Sequence, residues 1–520
     1  MNWGLGYNVD VGYTFGYYRE EDPLWLDLCA LVHGVRPPSL TSEKGLRYLE
    51  LGCGQGLNLC LLAACRPEIE FVGIDFNPLH IAHAKHLSSA AGLTNVRFIE
   101  ANFVDLAANW PEELGRFHYV SAHGVLSWIS RSVRESLYGC LDNALFPGGL
   151  VYFSYNALPG WLSGLPIQHL MRLWQVREAL TSLTAIDVGI KRLQSLIEAN
   201  IPMVQLLPGM KPRVEKIPNL DKNYLVNEYL HEEWTPFWFD EMERELSSHK
   251  LRFVGTATAS DWYLVAMLPE NAKRILATYS DPTERQVMLD VLVNQSFRRD
   301  IWARGQAPIW PEEQRDALLS RRFALIARPS AGEGENPYKF STSAGEVMGR
   351  LEIYAPLYEA LADGQKTLKD LLQVPVSGST SNRTLPDTIQ ALGLMLHAGH
   401  VALLPPKSFD PRAAKALNRV LIESASRGAP YRYLIASALP WVVSAGDVDQ
   451  ILASFHITHP KADRKSLGTY LTERLISLGR GLLVDGKPIT SREDILPRAE
   501  ELAEAFLEKT LPNWRKLGIV

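Results

Sequence analysis

The sequence predicts a doubly wound, Rossmann-like α/β fold in its first third, followed by mostly helical domains. Three neighbouring features predict it. A short apolar strand at Arg47–Leu51 leads directly into a glycine-rich turn at 52–56. An apolar helix at Leu57–Cys65 comes next, and a second strand at 71–75 ends in an aspartate. Strand, glycine turn and helix in this order open a parallel sheet that binds a nucleotide-like ligand at the carboxyl ends of its strands.

Composition narrows the class of protein. The 520 residues are 46% hydrophobic and 21% charged, which excludes a disordered chain or a coiled coil and suggests about three domains. The net charge of the chain is -5, with -6 in residues 1–160 and +1 in the remainder. Without a basic excess, nucleic-acid binding is not expected. An acidic first third favours a basic or cationic partner. The alternative is that these acidic residues are ordinary solvated surface charge.

Cysteine usage and hydropathy predict a compartment. The five cysteines all lie between Cys29 and Cys140, without the regular spacing of a disulfide framework, which is typical of a reducing environment. The first residues lack the charged and apolar regions of a signal peptide, and no apolar run reaches the length that a membrane span needs. We therefore expect a cytoplasmic protein that does not cross a membrane.

Further strands are expected at 96–99, 118–122 and 150–154, which gives five parallel strands. A final helix at 234–246 and a pair of strands at 251–256 and 262–268 would complete a seven-stranded sheet. The segment 162–230 then becomes a helical insertion above the carboxyl edge of the sheet, where it could gate substrate access, although an inert decoration is the alternative.

The glycine spacing distinguishes between cofactors. A dinucleotide fold uses G-x-G-x-x-G, where a helix N-terminus receives a pyrophosphate. Here the pattern is E-x-G-x-G-x-G, from Glu50 to Gly56. An acid at this place would repel a pyrophosphate but suits an ammonium group or hydroxyls. Asp75, at the carboxyl end of the second strand, is placed to accept hydrogen bonds from both hydroxyls of a ribose.

These motifs resemble those of class I S-adenosylmethionine-dependent methyltransferases. The resemblance implies that Gly52, Gly54 and Gly56 line the methionine and ribose and that Asp75 holds the ribose. The other candidate cofactor-binding residues are an N-terminal tyrosine cluster that could close over the cofactor, and residues that lie in or beside this turn or end the neighbouring strands. They are Tyr13, Tyr17, Tyr18, Glu50, Cys53, Phe76, Asn77, Asn102, Phe103, Ala122 and His123.

Two longer motifs narrow the resemblance. The segments AHGVLSW at 122–128 and SYNALPGW at 154–161 are similar to signatures of a bacterial subfamily with a methyltransferase regulatory domain. Rickettsial outer-membrane-protein lysine methyltransferases belong to that subfamily, so the resemblance implies a protein substrate methylated on lysine. One position departs from it, since Asn227 stands where members often carry histidine.

The candidate catalytic residues are His123, Tyr155 and Asn156, because each ends a strand at the ligand-binding edge. With an ordinary pKa near 6.5, His123 would act as a base. The alternatives are a packed turn residue for His123 and a structural pair for Tyr155 and Asn156. No metal is expected, since the histidines at 80, 83 and 86 drift around their helix.

The predicted organisation has seven parts. They are an N-terminal cap over the cofactor (1–38), a cofactor-binding core (39–161), the helical insertion (162–230), the final helix and strand pair (231–269), a helical regulatory segment (270–329), a winged-helix-like module (338–406) and a helical C-terminal domain (407–520). The predicted function is S-adenosylmethionine-dependent methyl transfer to protein lysine. A small-molecule methyltransferase and a non-catalytic sensor are the alternatives, and the sequence does not decide between a monomer and a homodimer.

Overall fold

A computed structural model describes residues 4, 6–7, 10–40, 45–305, 308–330, 335–378, 383–406, 409–484 and 487–520. The first part of the chain alternates helices and strands, as predicted. These elements are α1 (Pro23–Val32), β1 (Arg47–Leu51), α2 (Leu57–Cys65), β2 (Glu70–Asp75), α3 (Pro78–Ala90), β3 (Val96–Glu100), α4 (Phe103–Ala108), β4 (Phe117–Ala122), α5 (Arg131–Ala144) and β5 (Leu145–Asn156). The five predicted parallel strands are confirmed.

The insertion is helical and has its own apolar core. Its helices are α6 (Leu165–Arg177), α7 (Ser182–Glu198), α8 (Pro202–Leu206), α9 (Met210–Lys216) and α10 (Lys222–Tyr229). Trp161, at its start, packs into this core and lies 3.9 Å beneath the guanidinium of Arg213. The packing joins α9 and α10 to the end of β5.

The sheet is completed differently from the prediction. The following elements are α11 (Phe239–Ser248), β6 (Leu251–Thr256), α12 (Leu264–Met267), α13 (Glu270–Leu276), α14 (Pro282–Val293) and β7 (Phe297–Arg304). The strand order is β3-β2-β1-β4-β5-β7-β6, with β7 antiparallel to both neighbours. The expected strand at 262–268 is therefore wrong, and the segment 270–329, expected to be helical, contains the strand β7.

The local pattern of apolar and charged residues gave the wrong prediction both for 262–268 and for β7. In the segment after β6, Leu264 and Leu268 are buried outside the sheet, and the half-buried Trp262 packs on α1, with its ring 6.4 Å from that of Trp25. Strand β7 was not predicted because it contains charged residues, which are not typical of a buried strand. In the structure Arg298 pairs with Asp290 at 2.6 Å and with Asp300 at 2.8 Å. Buried charges need such partners, and here the partners come from α14 and from β7 itself.

The final helix also begins later than predicted. Phe237, expected within it, is extended and bridges to Ala157 beyond β5, and its backbone N–H donates to the Asn156 carbonyl. Helix α11 begins only at Phe239. The extension of β5 by this bridge fixes the backbone around Asn156.

The remainder of the chain combines helices with small sheets. Its elements are α15 (Pro311–Leu319), β8 (Arg322–Leu325), β9 (Lys339–Thr342), β10 (Gly345–Met348), α16 (Leu351–Ala362), β11 (Lys366–Thr367), α17 (Leu368–Leu372), α18 (Leu385–His397), β12 (Val401–Leu404), α19 (Arg412–Ser426), β13 (Tyr433–Ala436), β14 (Trp441–Ser444), α20 (Asp447–Thr458), α21 (Arg464–Ser477), β15 (Leu482–Val484), β16 (Lys487–Ile489), α22 (Arg492–Ala505) and α23 (Leu511–Leu517). Strands β11, β8 and β12 form one sheet beside α16–α18. The winged-helix interpretation of this module stays a prediction.

The C-terminal region packs on the sheet domain and on its N-terminal cap. The Tyr431 hydroxyl shares a 2.7 Å hydrogen bond with His83 Nε2 on α3, and Tyr433 packs against Tyr17. Across the described ranges of the chain, no helix is long and apolar enough to cross a membrane.

Candidate active site

The glycine turn after β1 is shaped by three left-handed glycines. Gly52, Gly54 and Gly56 have φ values of +78°, +51° and +75°, which favour glycine. A Cβ on Gly52 would lie 2.6 Å from Val125, and one on Gly56 would lie 2.4 Å from Ala84. A Cβ on Gly54 would meet no atom within 4 Å, because this glycine faces a cavity. The turn thus exposes its backbone to a ligand at Gly54.

Asp75 closes the same turn from the end of β2. Its Oδ2 accepts a 2.9 Å hydrogen bond from the Gly54 N–H, and its Oδ1 accepts one from the Asn77 N–H, also at 2.9 Å. His80 Nδ1 lies 3.2 Å from Oδ1. The carboxylate therefore stands fixed at the cavity wall, and Oδ2, with one partner, keeps a lone pair for a further donor.

The cavity that Gly54 faces, about 830 Å³ measured to its mouth, lies at the carboxyl edge of the sheet. One end is apolar and suits a flat ring. Its walls are Phe76, Ala101, Phe103, Val125, Ile129 and Val133. Asn102 also lines this end, but its side chain is used in capping α4, where Oδ1 accepts from the Asp105 N–H at 2.9 Å.

A second, polar compartment continues from the glycine turn under the N-terminal cap. Glu50, Cys53 and Gly56 line it together with Tyr13 and Tyr18 of the cap. Glu50 is 4% exposed and its Oε2 has no hydrogen-bond partner within the described structure. Burial, and then the neighbouring Glu21, raise the pKa of Glu50 well above its usual range.

His123 stands between the two compartments. Its ring stacks on Tyr18 with centroids 3.5 Å apart, and its Nδ1 lies 2.9 Å from the Tyr152 hydroxyl. Burial, and then the Arg299 guanidinium, lower the pKa of His123 well below 6.5. The imidazole is therefore neutral at pH 7 and a weak base, which corrects the expectation of a pKa near 6.5.

A third, narrow compartment of about 200 Å³ shares Tyr7, Tyr13 and Gly124 with the large one. Its other walls come from Trp128, in the segment after β4, and from the end of the insertion. These are Tyr224, Asn227, Glu228 and His231. Glu228 is 5% exposed, and its Oε1 accepts a 3.0 Å hydrogen bond from Asn156 Nδ2. The compartment thus combines aromatic walls with one buried carboxyl group.

Tyr155 does not reach this site. Side chains alternate along β5, so Tyr152 faces His123 while Tyr155 packs on the opposite face of the sheet, against Phe237. The Tyr155 hydroxyl donates a 2.5 Å hydrogen bond to Asp300 and is fully buried. The expectation that Tyr155 orients the substrate is wrong, because its hydroxyl is engaged in the ion network of β7.

Three other candidates lie beside the cavity without lining it. Tyr17 points away from it to Tyr433, the Asn77 side chain caps α3 by accepting from the Leu79 N–H, and Ala122 is buried within β4. Among the described residues, no group of three or more His, Cys, Asp or Glu side chains could hold a metal ion.

Sequence reasoning missed the residues that line the cavity from distant segments. Tyr7, His80, Tyr224 and Glu228 are examples. His80 follows Asp75 by little more than one helical turn, a spacing that could have revealed it. Glu228 carried a weaker signal, since it directly follows Asn227, the position at which the sequence departs from the subfamily.

The cavity fits a nucleoside joined to an amino acid. Its apolar end accommodates a base, Asp75 can accept from ribose hydroxyls, and Glu50, which lines the polar compartment, has an oxygen without a hydrogen-bond partner in the described structure. S-adenosylmethionine has these three parts in this order. When bound, it supplies an electrophilic methyl group on a sulfonium.

Comparison with known proteins agrees with this fit. The family described as "Methyltransferase domain" matches residues 42–182, and that described as "Predicted methyltransferase regulatory domain" matches 221–304. The solved structure of PKMT2 from Rickettsia typhi in complex with AdoHcy has a TM-score of 0.66 and covers 96% of this chain and 98% of its own, at 19% identity. The fold is thus shared over almost the whole length.

These observations define an S-adenosylmethionine-dependent methyltransferase with a Rossmann-like fold and a methyltransferase regulatory domain. The protein sll1526 of Synechocystis sp. is 31% identical over 523 residues, which cover 100% of both chains. The Rickettsia prowazekii protein RP789 is 28% identical over 61% of this chain and 56% of its own length. The chain belongs to the family that sll1526 represents.

The regulatory-domain match has a structural meaning. Residues 221–304 contain α10, α11, β6 and β7, so this segment supplies the last two strands of the sheet. It also supplies Glu228. The segment is therefore an integral part of the catalytic fold and of the narrow compartment.

Proposed function

We propose that this methyltransferase acts on the side-chain amine of lysine in a protein. The observation that carries the proposal is the narrow compartment beside the cofactor cavity. Its aromatic walls, Tyr7, Tyr13, Trp128 and Tyr224, suit an alkyl chain and a cation, and its one carboxyl group, Glu228, suits an amine. The resemblance to rickettsial lysine methyltransferases supports the same acceptor.

The proposed roles follow the three compartments. Asp75 holds the ribose, the wall around Phe76 and Phe103 holds the adenine, and Glu50 receives the ammonium of the methionine moiety. The acceptor amine would enter between Tyr13 and Gly124, where the narrow compartment joins the large one. Direct displacement then depends mainly on in-line positioning in a site that excludes water.

His123 and Tyr18 have a positioning role in this proposal. Their stacked rings separate the polar compartment from the acceptor side, so they can confine the methionine moiety. The insertion has a matching role on the other side, because α10 contributes Tyr224 and Glu228 to the acceptor compartment. Access of a protein side chain therefore depends on how α10 is packed.

The proposal is tested by incubating the full-length protein with methyl-labelled S-adenosylmethionine and a cell lysate. Label in acid-hydrolysed protein that co-migrates with methyl-lysine supports the proposal. Label in small molecules or nucleic acid, with none in protein, contradicts it. The Asp75→Ala variant serves as the control, and it should transfer much less label when S-adenosylmethionine is kept well below the raised Kd of the variant.

A further inference from the structure

Glu228 occupies an unusual position for a carboxyl group. It lies at the end of α10, is almost fully buried, and lines the narrow compartment that opens into the cofactor cavity at Tyr13 and Gly124. A carboxyl group in such a place costs folding free energy unless it is paired. No cation from the described part of the chain forms a salt bridge with it within 4.0 Å.

The carboxyl group is nevertheless held firmly. Asn156 Nδ2 donates to Oε1 at 3.0 Å, and the Asn156 backbone N–H is itself fixed by the Ser127 hydroxyl at 2.9 Å. The Tyr224 hydroxyl also bonds to Glu228. The end of β5 and the end of α10 thus aim one carboxyl group into the compartment.

The surroundings adjust its protonation. Burial raises the pKa of Glu228 to about 7, although Asn156, Tyr224 and the Arg213 guanidinium on α9 lower it. The other titratable groups around it are Tyr7 and Tyr13 of the cap, Tyr229 on α10 and His231 of the compartment wall. Burial raises the pKa of Tyr7 well above its usual range. Burial raises the pKa values of Tyr13 and Tyr229 to about 12, and it lowers that of His231 to about 3. These groups and Tyr224, whose pKa burial also raises, are neutral near pH 7, so Glu228 is the described group of this compartment that changes charge there.

We propose that Glu228 is the catalytic base that accepts the proton of the acceptor amine before methyl transfer. This rests on the proposed function, since a lysine side chain arrives as an ammonium that has no lone pair for attack until it loses a proton. It also extends that function, because it assigns the deprotonation to a residue of the segment matched as a regulatory domain.

The proton and electron balance is simple. The ammonium of lysine gives one proton to the Glu228 carboxylate, which leaves a neutral amine and a carboxylic acid. The amine lone pair forms the new N–C bond while the S–C bond breaks and its electron pair remains on sulfur. The methylated amine leaves positively charged, and the carboxylic acid returns its proton to solvent.

The difference in pKa between the lysine ammonium and the base favours a base whose pKa is raised. Lysine has a pKa of about 10.4 and an ordinary glutamate one of about 4.3, a difference of roughly 6 units. With Glu228 near 7, the difference falls to about 3.4 units, and burial of the amine reduces it further. His123 cannot replace it, because its pKa is lowered far below 6.5.

The test compares the full-length wild type with Glu228→Gln, Glu228→Asp and the control Glu233→Gln, an exposed glutamate shortly after α10. Initial rates are measured from pH 6 to 10 on the protein acceptor recovered in the labelling experiment. Affinity for S-adenosylmethionine is measured by calorimetry, independently of transfer. The labelled product is identified by amino-acid analysis.

We expect Glu228→Gln to be 10²- to 10⁴-fold slower at pH 7, the usual contribution of a general base. The wild-type rate should rise with pH through about 7, as Glu228 ionises, whereas the Gln variant should lose this limb and gain about tenfold per pH unit as the free amine becomes available. Glu228→Asp should retain the limb at an intermediate rate. Cofactor affinity should stay within twofold of the wild type in every variant.

Three results would overturn the inference and can be told apart. A methyl-lysine product with an unchanged rate and pH profile in Glu228→Gln overturns the role of Glu228 alone. A product methylated on oxygen or on nucleic acid overturns the proposed function and the base with it. If Glu228→Gln lowers cofactor affinity as much as the rate, the residue has a structural role and the inference is wrong.

Discussion

Asp75 offers the sharpest test of the proposed cofactor geometry. Its carboxylate accepts hydrogen bonds from Gly54 and Asn77 and faces the cavity at the end of β2. Replacing it by alanine removes both the acceptor for the ribose hydroxyls and the group that ties the glycine turn to α3. We therefore expect two separate losses, one in cofactor affinity and one in stability.

The loss of affinity follows from the two ribose hydroxyls. Each hydrogen bond to a charged acceptor contributes roughly 1.5–3 kcal/mol, so two at the lower limit contribute about 3 kcal/mol. At about 1.4 kcal/mol per tenfold change, the Kd for S-adenosylmethionine should rise by roughly 100-fold. The free energy of unfolding should fall by about 1–3 kcal/mol, because the N–H of Asn77 loses its acceptor in a buried place.

Calorimetry of cofactor binding and urea unfolding measure the two effects separately. Asp240→Ala is a suitable control, since this aspartate is exposed in the first turn of α11. It should change neither quantity. A folded Asp75→Ala protein that binds S-adenosylmethionine with wild-type affinity would refute the assignment of Asp75 and the position of the ribose.

Four further predictions concern other parts of the molecule. His123→Asn should lower kcat while leaving the shape of the rate profile between pH 6 and 8 unchanged, because the imidazole is already neutral there; a lost limb near pH 6.5 would contradict this. Tyr155→Phe should lower the free energy of unfolding by about 1–3 kcal/mol, since Asp300 loses a buried donor, and an altered cofactor Kd in calorimetry would contradict its place outside the site. Burial raises the pKa of Glu21 to about 8, so this carboxyl group stays protonated in the folded protein below that pH but ionises near 4.5 when unfolded. The wild type therefore loses stability as the pH rises from 4.5 to 8, and in urea unfolding Glu21→Gln should gain about 1 kcal/mol per pH unit over it across this range. A difference that does not change with pH would refute this. Replacing residues 162–229 by a short linker should preserve cofactor binding and abolish methyl transfer, and retained transfer would show that the insertion is not needed.

The sequence predicted the parallel half of the sheet well. Strands β1–β4 and helix α2 lie within a residue or so of their expected limits, because buried strands, a glycine turn and capping residues leave local signals. The Asn77 side chain, which caps α3, is a local signal of this kind. The placement of Gly54 and Asp75 at the cavity followed from the order of these elements.

The antiparallel end of the sheet was not predictable in this way. Strand β7 contains Arg298 and Asp300, and their burial depends on Asp290 from α14 and on Tyr155 from β5. Such a network compensates charge only after the chain has folded. A local pattern of apolar residues therefore favoured the wrong segment, 262–268, for a strand.

The sequence by itself determined the class of fold, the cofactor motif and the carboxyl-edge location of the site. These depend on periodicity, glycine conformation and short spacings, which act between residues that are close together along the chain. The tertiary structure alone decided which side chains face the acceptor. Because side chains alternate along β5, Tyr155 faces away from the site and bonds to Asp300. Burial lowers the pKa of His123, and Asn156 donates a hydrogen bond to Glu228, which is distant along the chain. These outcomes depend on contacts between segments that are distant along the chain, and a local sequence pattern does not predict such contacts.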